Sequence, residues 1–304
     1  MRCLVLGGTG FIGGRLTAAL RAAGSAVRVL SRSPAGPAAV PGAHYLAADF
    51  LDAGAVRAAV EGIEVVFHLV GTSLPAGSNA DPQADVRGNL LGTLGLLEAC
   101  RDAGVRRVVF VSSGGTVYGE PRTLPVAETH PTDPLCSYGI TKLAIEKYLR
   151  LFHRLHGQDY RVLRLANPYG PGQRTDRRQG VVTTFLQRAM HGEPLEIWGD
   201  GAVVRDFVYI ADAVDALQLA AVHEGPDRVF NIGSGSGLSL RDVVAATGEL
   251  LGRPLEVAYR PGRAWDVPAN VLDIALAREK LGWEPRTGFT QGLVATKQWL
   301  EGRP

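Results

Sequence analysis

The run "LVLGGTGFIGG", residues 4 to 14, constrains this chain more tightly than any other feature. A short apolar stretch suited to a buried strand ends in glycines and passes straight into an amphipathic segment read as a helix over 13–23. The spacing satisfies Gly-x-Gly-x-x-Gly at Gly8, Gly10 and Gly13, and Gly-x-x-Gly-x-x-Gly at Gly7, Gly10 and Gly13. Glycines permit the tight turn and let backbone approach a pyrophosphate, whose charge then meets the positive end of a helix. A dinucleotide held at Gly7, Gly10, Phe11, Ile12 and Gly13 is the expected ligand. A turn without a ligand would explain the glycines but not their place between strand and helix.

The rest of the first half repeats that unit. The β-rich runs "AVRVLS", "VVFHLV", "RVVFVSS" and "YRVLRLA" alternate with helical stretches over 52–61, 85–103 and 137–156. Such alternation predicts parallel strands with crossover helices, an α/β fold of the doubly wound Rossmann type. After Asn167 the pattern changes to a loop rich in Gly, Pro and Arg, "NPYGPGQRTDRRQG", and then to shorter elements. "RVFNIGSG", Arg228 to Gly235, reads as one more strand returning to the first sheet. The expected division is a dinucleotide-binding domain of residues 1–167 plus 208–233 and a smaller, mostly C-terminal α/β substrate domain of 168–207 plus 234–304.

Composition excludes several classes. The 304 residues are 46% apolar and 20% charged, enough for a large core, and the formal net charge of +2 is spread without a basic block. Neither a nucleic-acid footprint nor a membrane anchor is expected. Cys3, Cys100 and Cys136 are odd in number and scattered, which fits a reducing compartment and argues against a disulfide framework or a metal site. No apolar run reaches about 18 residues, so no signal or membrane span is expected and cytoplasm is the default.

Two places carry chemistry. In an NAD-binding unit the second strand should end in a carboxylate for the adenosine ribose; here Ser31 and Arg32 stand there instead, which leans toward the 2′-phosphate of NADP. Asp49, after the third strand, is placed to accept from the adenine amino group, with Phe50 beside the ring. The other place is "SYGITK": Tyr138 and Lys142 would share a helix face. With 8 Tyr and 4 Lys, accidental Tyr-x-x-x-Lys matches should number roughly 0.1. A phenol with a pKa near 10 is a poor base at pH 7, but a neighbouring ammonium and a cationic nicotinamide both favour its phenolate. The strand ending in Ser112, Ser113 and, a little further on, Thr116 can bring a hydroxyl to the same crevice.

These residues resemble the extended short-chain dehydrogenase/reductase superfamily, in the sugar-nucleotide epimerase/dehydratase branch that includes UDP-glucose 4-epimerase. The resemblance also runs through "FHLVG", "NLLGTLGLLEACR", "RLANPYGPGQ", "WGDGAVVRDFVYIAD", "FNIGSG" and "REKLGWEP". It implies that Tyr138 is the acid/base, that Lys142 also holds the nicotinamide ribose, and that Leu69, Gly71, Asn89, Ser112 and Pro168 line the coenzyme. Asn167, Trp198, Arg205, Arg263, Asp266 and Asn270 fall on its substrate-binding positions, and guanidinium forks suit a diphosphate. Asn270 stands where a residue of variable size lies beside the sugar, leaving room for an N-acetyl group. The implied reaction is 4-epimerisation of a UDP-hexose or UDP-N-acetylhexosamine through a 4-keto intermediate, for which the resemblance leans to NAD against the NADP lean of Ser31 and Arg32. An NADPH-dependent 4-ketoreductase of a 4-keto-6-deoxy nucleotide sugar is the alternative. Helices 85–103 and 137–156 would form a homodimer contact. Two departures stand out. The branch's usual catalytic Ser/Thr falls on Gly114, so the hydroxyl must come from Ser113 or Thr116 or be dispensable, and the ribose carboxylate is missing at Ser31.

Overall fold

The structure is a computed structural model that describes residues 1–33, 39–71, 75–175, 180–262 and 267–302. Strands β1 (Arg2–Leu6), β2 (Ala26–Ser31), β3 (His44–Ala47), β4 (Val65–His68), β5 (Arg107–Ser113) and β6 (Asp159–Leu165) alternate with helices α1 (Phe11–Ala22), α2 (Ala53–Val60), the short α3 (Pro75–Ser78) and α4 (Pro82–Asp85), then α5 (Gly92–Asp102) and α6 (Ser137–His156). They build a seven-stranded sheet in the order β3-β2-β1-β4-β5-β6-β10, where β10 is Val229–Ile232. All neighbours run parallel. The returning strand read from "RVFNIGSG" is thus β10, paired with β6.

Cys3, Leu4, Val5 and Leu6 are wholly buried because helices cover both faces of the sheet. One face packs Leu16 and Leu20 of α1 with Ala213, Leu217 and Ala221 of α8 (Ile210–Val222). The other packs Val56 of α2, Leu96 and Cys100 of α5, and Ile145 and Leu149 of α6. Strand order reverses between β1 and β4, so a crevice opens at their carboxyl ends.

The remaining elements lie over that edge. β7 (Asn167–Tyr169) pairs with β9 (Val204–Tyr209), which also pairs with β11 (Gly237–Ser239) and β13 (Ala269–Asn270). β8 (Leu195–Trp198) and β12 (Val257–Arg260) form a separate parallel pair. Helices α7 (Val181–Met190), α9 (Leu240–Leu251) and α10 (Phe289–Glu301) supply a third core with Phe185, Leu186, Val243 and Leu293.

Two helix boundaries differ from the sequence expectation. α1 begins at Phe11 rather than 13, since Gly10 takes the extended N-cap conformation. The single helix expected over 85–103 is interrupted by a π-helical turn, Val86–Leu91. There Asn89 Nδ2 donates to the Asp85 carbonyl at 3.0 Å and Thr93 Oγ1 to the Asn89 carbonyl at 2.6 Å, competing with the regular ladder.

Candidate active site

The glycine turn is built as its spacing requires. Gly7 adopts φ +80°, and a Cβ on Gly13 would lie 2.2 Å from the Gly7 carbonyl oxygen. A side chain at Gly8 would meet Val29 at 2.6 Å. Gly10 offers α1 no side-chain cap, so the first-turn N–H groups at Phe11, Ile12 and Gly13 point out of the helix end. A pyrophosphate fits this end: the donors are present and Gly7, Gly10 and Gly13 carry no side chain to hold it off. Leu69 closes the adjacent end of β4, its carbonyl 3.4 Å from where a Gly7 Cβ would be.

Around the rim, Ser31 ends β2 and its hydroxyl donates to the Ser33 carbonyl at 2.6 Å. It would have to give up that bond to donate to a phosphate. Arg32 is exposed. Asp49 is exposed and accepts the Leu51 N–H at 2.8 Å, while Phe50 is buried against His68, ring centroids 5.2 Å apart. Gly71 is exposed at the end of the described segment after β4.

Tyr138 and Lys142 lie one turn apart at the start of α6, as their spacing predicts. Lys142 is buried, donates from Nζ to the Val111 carbonyl at 2.9 Å, and sits 5.7 Å from the Tyr138 ring centroid and 4.6 Å from that of Phe110. Burial pulls its ammonium down to about 8, against the pull of Asp85 and then Glu146. Lys142 therefore keeps most of its charge at pH 7. Burial pushes the Tyr138 phenol up to about 12; Cys136 and Asp85 add to this, and a hydrogen bond with Ser113 opposes it. The pair alone does not make a phenolate at neutral pH. Further positive charge in the crevice, such as an oxidised nicotinamide, is needed.

The missing hydroxyl at Gly114 has a steric reason. A Cβ there would sit 2.5 Å from Leu272 Cδ1 and 3.0 Å from the Arg164 carbonyl. Ser113 is the hydroxyl that reaches Tyr138, whereas Thr116 Oγ1 is buried without a protein partner. Ser112 turns away and donates to Glu146 at 2.5 Å.

Several residues that sequence reasoning passed over hold this pair in place. Cys136 gives α6 no side-chain cap; Ser78 Oγ instead accepts the Tyr138 N–H at 3.0 Å and Asn79 Oδ1 the Ser137 N–H at 2.9 Å. Asp85 is buried among Asn89, Ser137 and Thr141. Glu146, one turn beyond Lys142, pairs with buried Arg164 at 2.7 Å. A charged residue inside an apolar strand or helix face was the available signal.

On the substrate side, Asn167 donates to the Asp206 carbonyl at 2.9 Å, and the Pro168 carbonyl accepts from Gln173 at 3.1 Å. Arg205 donates to the carbonyls of Val204 and Val267 at 2.8 and 2.7 Å. It stands opposite Asn270 across the β9–β13 pair. Asn270 Nδ2 donates to the Gly114 carbonyl at 3.2 Å, which joins the smaller sheet to the end of β5, and its Oδ1 is buried without a protein partner. Trp198 is 42% exposed at the end of β8. Arg263 and Asp266 lie outside the described residues.

A glycine turn at the switch point of a doubly wound sheet, with a Tyr-x-x-x-Lys pair beside the neighbouring strand end, defines the class of nicotinamide-dependent short-chain oxidoreductases. Within that class, residues 3–233 match the NAD dependent epimerase/dehydratase family, and the chain belongs to it. The chain is 36% identical to the UDP-glucose 4-epimerase of Mycolicibacterium smegmatis, with 100% of this chain and 99% of that one covered. The solved UDP-glucose 4-epimerase of Thermotoga maritima with UDP-glucose is 37% identical and superposes with a TM-score of 0.95 over 99% of each chain. The Thermus thermophilus UDP-glucose 4-epimerase in complex with NAD is 35% identical, with a TM-score of 0.93 over 100% of each chain.

Proposed function

We propose that this protein is a nucleotide-sugar 4-epimerase acting on a UDP-hexose or UDP-N-acetylhexosamine with NAD as its coenzyme. The observation that carries the reading is the Tyr138–Lys142 pair with Ser113 at the end of β5; Thr116 Oγ1 and Asn270 Oδ1 are buried without a protein partner. Full-length likeness to UDP-glucose 4-epimerases supports the same reaction. Bound nicotinamide would supply reversible hydride acceptance at C4. Tyr138 takes the O4 proton and later returns it, which places it as general base and then general acid. Lys142 keeps positive charge beside the phenol, and Ser113 donates to the same oxygen. Asn270 and Thr116 offer acceptors to sugar hydroxyls, and Arg205, Asn167, Arg263 and Asp266 hold the nucleotide diphosphate and ribose.

The glycine turn would hold the coenzyme's pyrophosphate, Asp49 would accept from the adenine amino group, and Asn89 and Pro168 would line the coenzyme. The Ser31 bond to Ser33 favours NAD over NADP. Residues 1–167 plus 208–233 form the coenzyme domain and 168–207 plus 234–304 the substrate domain. The reading includes a homodimer and a cytoplasmic location. No described helix is long and apolar enough to cross a membrane, and Cys3, Cys100 and Cys136 are free.

The test is incubation of purified protein with UDP-glucose and with UDP-N-acetylglucosamine, without added coenzyme. Epimer is expected from at least one, with NAD recovered from the protein, and Tyr138→Phe is expected to lower kcat by about a hundredfold or more. No epimer from either while NAD is bound rejects the reading; exchangeable NADPH in its place favours the reductase.

A further inference from the structure

A carboxylate withdrawn from water persists only where donors meet its oxygens. Asp206, in the middle of β9, is wholly buried. Its Oδ1 accepts from Ser234 N at 2.6 Å and Ser234 Oγ at 2.7 Å, and its Oδ2 accepts from Leu272 N at 3.2 Å and Gly235 N at 3.3 Å. The three N–H groups can only donate, so both oxygens serve as acceptors, which suits the ionised form. Gly233 makes the room: a Cβ there would lie 2.3 Å from Oδ2.

These donors come from separate parts of the fold. Ser234 and Gly235 follow β10, the edge strand of the seven-stranded sheet, whereas Leu272 follows β13 of the smaller sheet. The residues read as substrate-binding stand around the same carboxylate. Arg205 precedes it on β9, Asn270 pairs with Arg205 across the β9–β13 ladder, and Asn167 Nδ2 donates to the Asp206 carbonyl at 2.9 Å. Beyond them lies the end of β5. Leu272 Cδ1 fills the place beside Gly114, 2.5 Å from where a Cβ would be, and Asn270 Nδ2 donates to the Gly114 carbonyl at 3.2 Å. One carboxylate therefore fixes β9 and β13 against the carboxyl ends of β10 and β5.

We propose that Asp206 is a positioning residue for the sugar nucleotide: its carboxylate pins β9 and β13 to the end of β10, and so sets Arg205, Asn167 and Asn270 at one spacing around the ligand. This rests on the reading of those three as substrate-binding residues. Asp206→Asn keeps the shape but turns one acceptor oxygen into a donor that faces N–H groups. It is expected to weaken the Kd for UDP, measured by titration calorimetry, about tenfold. KM for the epimerised sugar nucleotide should rise by as much, with kcat within about threefold and the amount of NAD bound per chain unchanged. A residue that merely braces the fold would lower kcat through the inactive fraction and leave KM and Kd in place.

A second variant reaches the same contact from the other side. Gly233→Ala leaves residue 206 intact and drives a methyl group into Oδ2, so it should also weaken UDP binding. If Asp206→Asn does not fold, Gly233→Ala decides. Arg205→Met separates the proposal from the reading beneath it, since calorimetry with UDP needs no turnover. Weakened binding in Arg205→Met with wild-type affinity in Asp206→Asn and Gly233→Ala overturns the role of Asp206 alone. Equal UDP binding by the wild type and Arg205→Met overturns the substrate-site reading, and the proposal with it.

Discussion

His68 shows how much one buried residue can reveal about its own protonation. Thr93 has a single hydroxyl hydrogen, and it goes to the Asn89 carbonyl at 2.6 Å. The 2.8 Å contact between His68 Nε2 and that hydroxyl must then be a donation from the imidazole. Nδ1 is left as a bare acceptor, buried without a protein partner, in a ring held between Phe50 and Phe110. Burial, then the Lys142 charge, lower this imidazole to about 3, below its unfolded value of about 6.5. A group whose folded pKa is depressed stabilises the fold above its unfolded pKa, and that stability is lost as pH falls toward the folded one. His68 should therefore cost the protein about 2 kcal/mol between pH 7 and pH 5. Urea unfolding at both pH values checks this: His68→Asn is expected to lack that increment of acid sensitivity, and an unchanged pH dependence would contradict the assignment.

At the scale of elements, α6 was legible and its supports were not. Its bounds follow from an amphipathic pattern that ends at Gly157, which takes φ +71° as the left-handed cap. The glycine turn and the Tyr-x-x-x-Lys pair were readable for the same reason, since each is a local pattern with a fixed spacing. Asp85, Glu146 and Arg164 are not local. Their partners lie up to dozens of residues away, and no periodicity marks them. Arg263 and Asp266 were named from resemblance alone, and the described residues do not include them. The tie between α6 and β6 shows what such partners are worth. Glu146 and Arg164 are 4% and 6% exposed in their side chains, and Arg164 also donates to Tyr118, whose hydroxyl donates to Asn231 on β10. Removing one member leaves the other charge buried and unpaired, at a cost of about 3 to 5 kcal/mol. Arg164→Leu should lose about that much in denaturant unfolding, and Glu146→Leu added to it should recover part of the loss. Strict additivity of the two single losses would show that the pair does not act as a unit.

The whole molecule leaves an apolar surface on the side of the sheet where α5 and α6 pack together. Ile140, Leu151 and Leu155 on α6 are 55%, 42% and 63% exposed, and their spacing of eleven and four residues puts them on one helix face. Leu91, at 53%, is exposed on the π-helical turn that leads into α5, in a groove with Phe50, Val56 and Gly95. The inward face of α6 is spent on Ile145 and Leu149 in the second core, so these exposed side chains have no work in the monomer. An aligned apolar face on paired helices is the surface two copies bury when they associate. Each chain has a mass of 32.3 kDa, and the protein is expected to elute in gel filtration at twice that mass. Leu151→Lys combined with Leu155→Lys places two like charges on the face of each copy and should shift elution to the monomer. Since neither side chain enters the core, far-ultraviolet circular dichroism should stay unchanged. A double variant that still elutes as a dimer would move the contact elsewhere on the surface; a wild type that elutes at the mass of one chain would remove it.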